Sequence, residues 1–389
     1  MRNCGIVCEY NPFHTGHRYQ IERALELGAS NVFCVMSGNF VQSAMPAFCD
    51  KAIRAECAVH GGANAVIELP AVYATASAGY FAEGAVKIIS KIKDISHIAM
   101  GATTSADIIL RLAEIKVNHA AAYNERVKSY LKSGKSYNFA CGQALTELYG
   151  SITDNSEVQS VIQEPNNMLC IEYIAAIDKH AANIEPLIIK RLGATHNSSA
   201  TDGDYISATV IRREAENNRF DEVNKFVPYF FGRMTEQLKH HSPDIGAYKK
   251  AALFALKCLS AEEISDLRNC SDGMEYLIKN LNAASFDDLI KSAELKKFGK
   301  KRIERLLLDC LLGIKKEYMS MPFVTRLLAC RSDFDFKLLP EFVKISNADI
   351  KAAAAECKSV LEVDERATAL YNTLCGIDGG YYNYSLVKV

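Results

Sequence analysis

The chain has 389 residues, enough for two or three domains, with 49% hydrophobic and 23% charged residues. Its 45 Lys and Arg against 46 Asp and Glu leave a formal net charge of -1. These values exclude a disordered or collagen-like chain and a uniformly basic nucleic-acid binder, so any basic patch must be local.

The first hundred residues carry short apolar runs at 4–8, 31–36, 65–69 and 97–100, whose starts fall 27, 34 and 32 residues apart. Helix-like stretches lie between them at 17–27, 50–60 and 78–90. Gly28 closes the first, and Gly61 with Gly62 the second, as C-terminal stops. A repeated strand-helix unit of this kind predicts a parallel sheet with right-handed crossovers and a ligand beyond the carboxyl ends of the strands. Helical pattern follows over 106–148, then a polar turn region at 150–157, a further buried strand at 186–192 and a helix start at 207–214. The expected division is an α/β sheet domain over 1–215 and a mainly helical domain over 216–389, whose tail ends in GGYYNYSLVKV as a strand or an ordered arm.

Thirteen cysteines are scattered with no C-x-x-C pair, so they read as small buried hydrophobes in a reducing, cytoplasmic compartment and not as metal ligands. No metal-binding set is expected. No apolar run approaches the ~18 residues of a membrane span, and the N-terminus lacks the pattern of a secretory signal.

Where the first strand ends, the sequence reads Glu9-Tyr10-Asn11-Pro12-Phe13-His14-Thr15-Gly16-His17. Two imidazoles at a helix start sit where backbone N–H groups already favour an anion, and Gly16 lets a phosphate approach the backbone. His14 and His17 can donate to phosphate oxygens and stabilise phosphoryl transfer without a covalent intermediate. The alternative is two surface histidines. Far downstream, 206–212 opens another helix with Ser207, Thr209 and Arg212, two hydroxyls and a planar donor fork suited to outer phosphates, or else an ordinary capped helix.

Asp50, Lys51 and Arg54 begin the second crossover helix, where the two cations either face the strand edge and attract polyphosphate or RNA, or line a solvated face. Gly134-Lys135-Ser136 has the ending of a P-loop but follows a helical stretch, so it is a loop. The densest charge is at 291–316, with nine Lys or Arg and three acids, net +6. Apolar residues at Ile303, Leu306, Leu307, Cys310, Leu311 and Ile314 predict one buried helical face with the cations at its start and opposite side. Lys296, Lys297, Lys300, Lys301, Arg302 and Arg305 are the candidate RNA contacts.

The H-T-G-H and S-A-T-V-I-R elements together resemble the H-x-G-H nucleotidyltransferase superfamily. The segments GIVCEYNPFHTGH, VMSGNFVQ, DKAIRAECAVHGGANAVIELP, YATASAGYFAEGAV, EPNNMLCIEYIAAI, IKRLGATHN and KKFGKKRIERLLLDCLLGI resemble the bacterial tRNA(Met) cytidine acetate ligase family, from Cys4 to about Ile314. The resemblance implies a Rossmann-like nucleotidyltransferase domain joined to a helical RNA-binding part. It also implies ATP-dependent activation of acetate to acetyl-adenylate, then N4-acetylation of the wobble cytidine of elongator tRNA(Met). Mg²⁺ would accompany ATP, held mainly by phosphates. The implied ATP site is Gly5, Ile6, Val7, Cys8, Glu9, Tyr10, Asn11, Pro12, Phe13, His14, Thr15, Gly16, His17 and Arg18, with Gly101, Asn166, Asn167, Arg191, Ser207, Thr209 and Arg212; the histidines are catalytic. Two departures stand out. Ser43-Ala44-Met45 replaces the family's usual Arg-Gly-Glu, and Cys8 replaces a small Ala. An adenylyltransferase for a small phosphorylated cofactor precursor and an RNA-binding protein with a regulatory nucleotide pocket are the rival readings.

Overall fold

The computed structural model describes residues 3–135, 137–150, 156–192, 207–227, 231–271, 273–294, 298–353 and 355–389. Five strands, β1 (Asn3–Cys8), β2 (Asn31–Ser37), β3 (Ala65–Leu69), β4 (Ile95–Ala102) and β5 (Glu185–Lys190), run parallel in the order β5-β4-β1-β2-β3. They fall on the predicted runs, but β5, expected to be buried, lies at the sheet edge and is mostly only partly buried. β1, β2 and β3 are buried almost throughout, as a sheet covered on both faces requires. The crossover helices are α1 (Thr15–Glu26), α2 (Lys51–His60), the short α3 (Ala71–Ala74) and α4 (Ala78–Ile89). Gly28 and Gly62 take φ of 99° and 109° at the first two helix ends, the left-handed geometry that favours glycine.

From β1 the chain winds outward to β2 and β3 on one side, while β4 and β5 lie on the other. The order therefore reverses between β1 and β4, and a crevice opens there beyond their carboxyl ends. A layer of five helices between β4 and β5 covers this side: α5 (Ala106–Asn118), α6 (Ala120–Lys132), α7 (Tyr137–Gly150), α8 (Ser156–Gln163) and α9 (Pro165–His180). The Gly134-Lys135 segment is the turn between α6 and α7, with Gly134 at φ 84°.

Beyond residue 207 come α10 (Ala208–Glu216), α11 (Phe220–Asn224), α12 (Phe231–His240), α13 (Ile245–Cys258), α14 (Ala261–Ser265), α15 (Met274–Lys279), α16 (Phe286–Glu294) and α17 (Lys300–Leu312). α13 to α17 enclose an apolar cluster of their own, with Leu256, Ile264, Met274, Phe286, Ile303, Leu306 and Leu307 buried in it. The sheet, however, draws strands from both sides of residue 215. β6 (Thr325–Cys330) lies antiparallel against β3, and β7 (Val343–Lys344) and β8 (Val387–Lys388) pair with β6. The mainly helical pattern expected over 216–389 breaks after Leu312, because Gly313 takes a left-handed cap at φ 62° and TRLLAC is a strand buried at every position. α18 (Asn347–Lys351) and α19 (Lys358–Cys375) then lead to the terminal arm, which ends as β8.

Charged side chains inside the protein join these parts. Arg268 pairs with Asp309 at 2.6 Å, both almost without solvent contact. Arg268 also donates to the carbonyls of Val72 and Thr75, so one guanidinium ties the helical cluster to the turn after β3. Burial holds the Asp309 carboxyl above its ordinary value, and the Arg268 charge and two hydrogen bonds from Asn269 offset this only in part.

Two substitutions test this packing. Arg268→Ala leaves Asp309 as an unpaired buried acid and should cost about 3–5 kcal/mol in urea unfolding, with an unchanged result excluding the strut. Ala44 is fully buried at φ 61°, in the left-handed region that favours glycine. An L-residue there costs roughly 1–2 kcal/mol, partly offset by the greater entropy of unfolded glycine, so Ala44→Gly should raise the stability by about 0.5–1 kcal/mol in the same measurement.

Candidate active site

β1 ends at Cys8, and Tyr10 turns the chain with φ 46° toward the start of α1. His14 is the N-cap of α1. Its Nδ1 accepts from the Gly16 N–H at 3.1 Å, and the His14 N–H donates to His17 Nδ1 at 3.3 Å, a capping box made of two imidazoles. The rings stack with centroids 3.7 Å apart at 27°. Burial pushes the His14 pKa down to about 3, helped by the nearby Arg191 and Arg212 charges; burial, then His14 and Arg191, hold His17 well below its ordinary value. Both rings are therefore neutral near pH 7. Since both Nδ1 atoms act as acceptors, each ring carries its proton on Nε2 and keeps that donor available.

The histidines line a cavity of about 310 Å³ at the reversal point between β1 and β4. Its floor comes from Val7 and Cys8 of β1 and from Met100 and Gly101 of β4. A Cβ on Gly101 would come within 3.2 Å of Arg191 Cγ, so glycine there lets the arginine cross the strand end. Arg191 is anchored by its own N–H to Ala102 O at 2.8 Å. Arg212, from the distant α10, donates to Asn11 O at 2.6 Å and to Thr209 Oγ1 at 3.1 Å, which brings the downstream element onto the H-T-G-H loop. Ser207 caps α10 and lines the cavity with Thr209. Two guanidiniums, two imidazole N–H groups and a helix N-terminus thus face one space, a donor set suited to a polyphosphate.

The sequence-predicted residues separate into two groups. Val7, Cys8, Glu9, Tyr10, Asn11, His14, His17, Gly101, Asn166, Arg191, Ser207, Thr209 and Arg212 line this cavity, and Gly16 an adjoining recess. Gly5, Ile6, Pro12, Phe13, Thr15, Arg18 and Asn167 do not. Gly5 packs under α4, where a Cβ would meet Ile89 Cγ2 at 2.6 Å; Ile6 and Phe13 are core; Arg18 pairs with Glu22 at 2.6 Å. Asn167 is spent inside the protein, accepting from Thr103 N at 2.9 Å and donating to Val161 O at 3.1 Å. Ser43-Ala44-Met45 stays out of the lining, to which that loop contributes Gln42.

The lining also includes residues that the motifs did not mark: Gln20, Gln42, Phe81, Leu169, Cys170 and Tyr173. Gln20 lies one turn beyond His17. Asn166, Leu169, Cys170 and Tyr173 follow the 0, 3, 4, 7 spacing of one helical face, a periodicity that could have shown them once Asn166 was chosen.

Lys51 and Arg54 are neither solvated nor at the cavity. Both have no exposure: Lys51 pairs with Glu68 at 2.6 Å, and Arg54 donates to the carbonyls of Glu9, Ser37, Gly38 and Cys49. α17 is more enclosed than one buried face would make it, because Leu308 and Leu312 pack into the sheet-side core while Ile303 and Leu306 face the helical one. Lys300 and Lys301 are exposed beside Glu304. Arg302 donates to Asn269 O at 3.0 Å, and burial holds Arg305 down at about 10. Lys296 and Lys297 lie outside the described residues.

The HIGH Nucleotidyl Transferase family model matches residues 1–378. A tRNA(Met) cytidine acetate ligase of Clostridium perfringens (strain SM101 / Type A) is 33% identical, with 96% of each chain covered. One of Caldanaerobacter subterraneus subsp. tengcongensis is 33% identical over 93% of this chain and 91% of its own. The chain belongs to the tRNA(Met) cytidine acetate ligase family. A family member from Thermotoga maritima, TmcAL, solved with alpha-thio ATP bound, superimposes with a TM-score of 0.85 at 26% identity, and its apo form with 0.88 at 25%; each pair is covered completely. Among the described residues no group of three or more His, Cys, Asp or Glu could hold a metal ion, and no helix is long and apolar enough to cross a membrane.

The buried neutral histidine sets a pH dependence with a definite sign. Below the ordinary value of 6.5 the unfolded chain binds a proton at residue 14 that the folded chain refuses until about 3, so stability falls as pH falls through that window. Replacing the ring by a group that does not titrate removes this term. In His14→Gln, urea midpoints measured at pH 7 and pH 5 should differ less than in the wild type; an equal difference would show that the ring titrates normally.

Proposed function

We propose that this ligase activates acetate with ATP to form acetyl-adenylate and transfers the acetyl group to N4 of the wobble cytidine of elongator tRNA(Met). The observation that carries this is the paired neutral imidazoles facing two guanidiniums at the β1–β4 crevice, in a chain whose relatives are tRNA(Met) cytidine acetate ligases. ATP lies over the strand ends. A carboxylate oxygen of acetate attacks the α-phosphorus, and the bond to the pyrophosphate oxygen breaks. His14 and His17 donate from Nε2 to the charge gathering on the phosphoryl oxygens, and because they are already neutral and held by the backbone, no proton has to be lost first. Arg191 and Arg212, with Ser207 and Thr209, hold the phosphates that leave. The cytidine amine then attacks the acetyl carbonyl, AMP departs, and the amine gives up its proton.

Of the lining residues described, Glu9 is the one carboxylate, and its Oε1 accepts from the Gln42 N–H at 2.6 Å. Mg²⁺ would therefore be held mainly by the phosphates, with Glu9 the one carboxylate near them, and would supply charge neutralisation there. The substrate tRNA and the thirteen unpaired thiols fit a cytoplasmic enzyme.

Incubation with ATP, labelled acetate and total bacterial tRNA tests the reading through label in the RNA, and no incorporation would reject it. His14→Ala and His17→Ala should each lower acetate-dependent ATP–pyrophosphate exchange about 10²-fold, the usual loss for one transition-state donor. Near-normal exchange in both would remove the histidines from the chemistry.

A further inference from the structure

The turn between α6 and α7, left over once the P-loop reading is set aside, has an unusual surface. From Arg126 to Thr146 there is no acidic residue, while Arg126, Lys128, Lys132 and Lys135 bring four cations. Arg126 is engaged with Glu147 at 3.3 Å, whereas Lys128, Lys132 and Lys135 are exposed and make no ion pair with a described carboxylate. Beside them the chain exposes large apolar groups: Tyr137 and Phe139 at 46% each and Leu131 at 40%. Lys135 Nζ stands 5.4 Å from the Phe139 ring centroid, and Tyr130 meets the same ring edge-on at 5.9 Å.

This hairpin rests on the layer that walls the cavity. α7 packs on α8 and α8 on α9, and α9 carries Asn166, Leu169, Cys170 and Tyr173 into the lining. On its other side, Tyr137 and Arg305 lie close enough to bias each other's ionisation, so the hairpin adjoins α17, whose start exposes Lys300 and Lys301. The cations expected to meet RNA on α17 are reduced by the fold, since Arg302 and Arg305 are drawn into the protein. The hairpin supplies what α17 lacks.

We propose that the α6–α7 hairpin is a docking surface for the single-stranded loop of the RNA substrate, with Tyr137 and Phe139 as stacking platforms and Lys128, Lys132 and Lys135 on the flanking phosphates. The inference rests on the tRNA-acetylating reading and assigns a surface to its partner. Unpaired bases are recognised by stacking on aromatic rings next to cations, and a target cytidine must be unstacked before its amine can enter a cavity. A protein partner fits less well, because protein interfaces are depleted in lysine at their centres.

The test uses the full-length enzyme and purified elongator tRNA(Met), with binding measured from 50 to 200 mM salt alongside acetate-dependent pyrophosphate exchange. Lys128→Gln/Lys132→Gln/Lys135→Gln, all at exposed positions, should weaken binding and flatten the salt slope by about 2, since each single-strand phosphate that a lysine no longer neutralises accounts for about 0.7. Tyr137→Ala/Phe139→Ala should weaken binding about 10-fold or more with the slope kept, as expected when stacking is removed. Exchange should stay at the wild-type level in both. Unchanged affinity and slope in the lysine variant would overturn the proposal and leave the patch to a protein partner, and a matching fall in exchange would show that the hairpin only supports the ATP site. Loss of acetate dependence in the wild type would instead reject the acetylation reading, while the binding series still decides where RNA docks.

Discussion

One buried guanidinium holds the carboxyl edge of the sheet together. Arg54 has no solvent contact, and its three nitrogens donate to the carbonyls of Glu9, Ser37, Gly38 and Cys49, the places where β1 and β2 give way to loops. Burying a charge is costly unless its donors are satisfied, and here backbone oxygens satisfy them, while burial raises the nearby Glu9 carboxyl and the Arg54 charge works against that rise. The Glu9 carbonyl lies one residue before the turn at Tyr10 that launches the histidine motif. The geometry of the crevice thus depends on a residue that never reaches it.

From that edge the site is assembled by backbone groups more than by side chains. Two peptide N–H groups fix the imidazole Nδ1 atoms, and a peptide carbonyl, that of Asn11, fixes Arg212. A low-dielectric site with cations already in place disfavours further positive charge, which is why the histidines remain neutral donors. The same cations favour a ligand that is strongly negative.

The C-terminal arm closes the other side of the sheet by a related device. Lys51 pairs with Glu68 and lies 4.8 and 4.7 Å from the ring centroids of Tyr381 and Tyr384, and Tyr384 donates to Asp50. The N-terminus of α2 is therefore held by residues more than three hundred positions downstream, and β8 completes the attachment by pairing with β6. The antiparallel β6 covers the edge that β3 would otherwise expose.

The strand-helix alternation, the parallel sheet and the placement of His14 and His17 at the mouth of β1 were legible in the sequence, because they depend on local periodicity and on a motif whose position follows from chain order. Ser207, Thr209 and Arg212 were legible as chemistry but not as neighbours of Asn11. What only the tertiary structure decided concerns pairs distant in sequence: whether Lys51 and Arg54 face water or carbonyls, which of Asn166 and Asn167 turns to the cavity, and whether TRLLAC continues a helix or edges a sheet. A cation has the same letter whether a phosphate, a buried glutamate or a peptide oxygen satisfies it. Its partner is chosen by packing, and packing is set by contacts that local pattern does not contain.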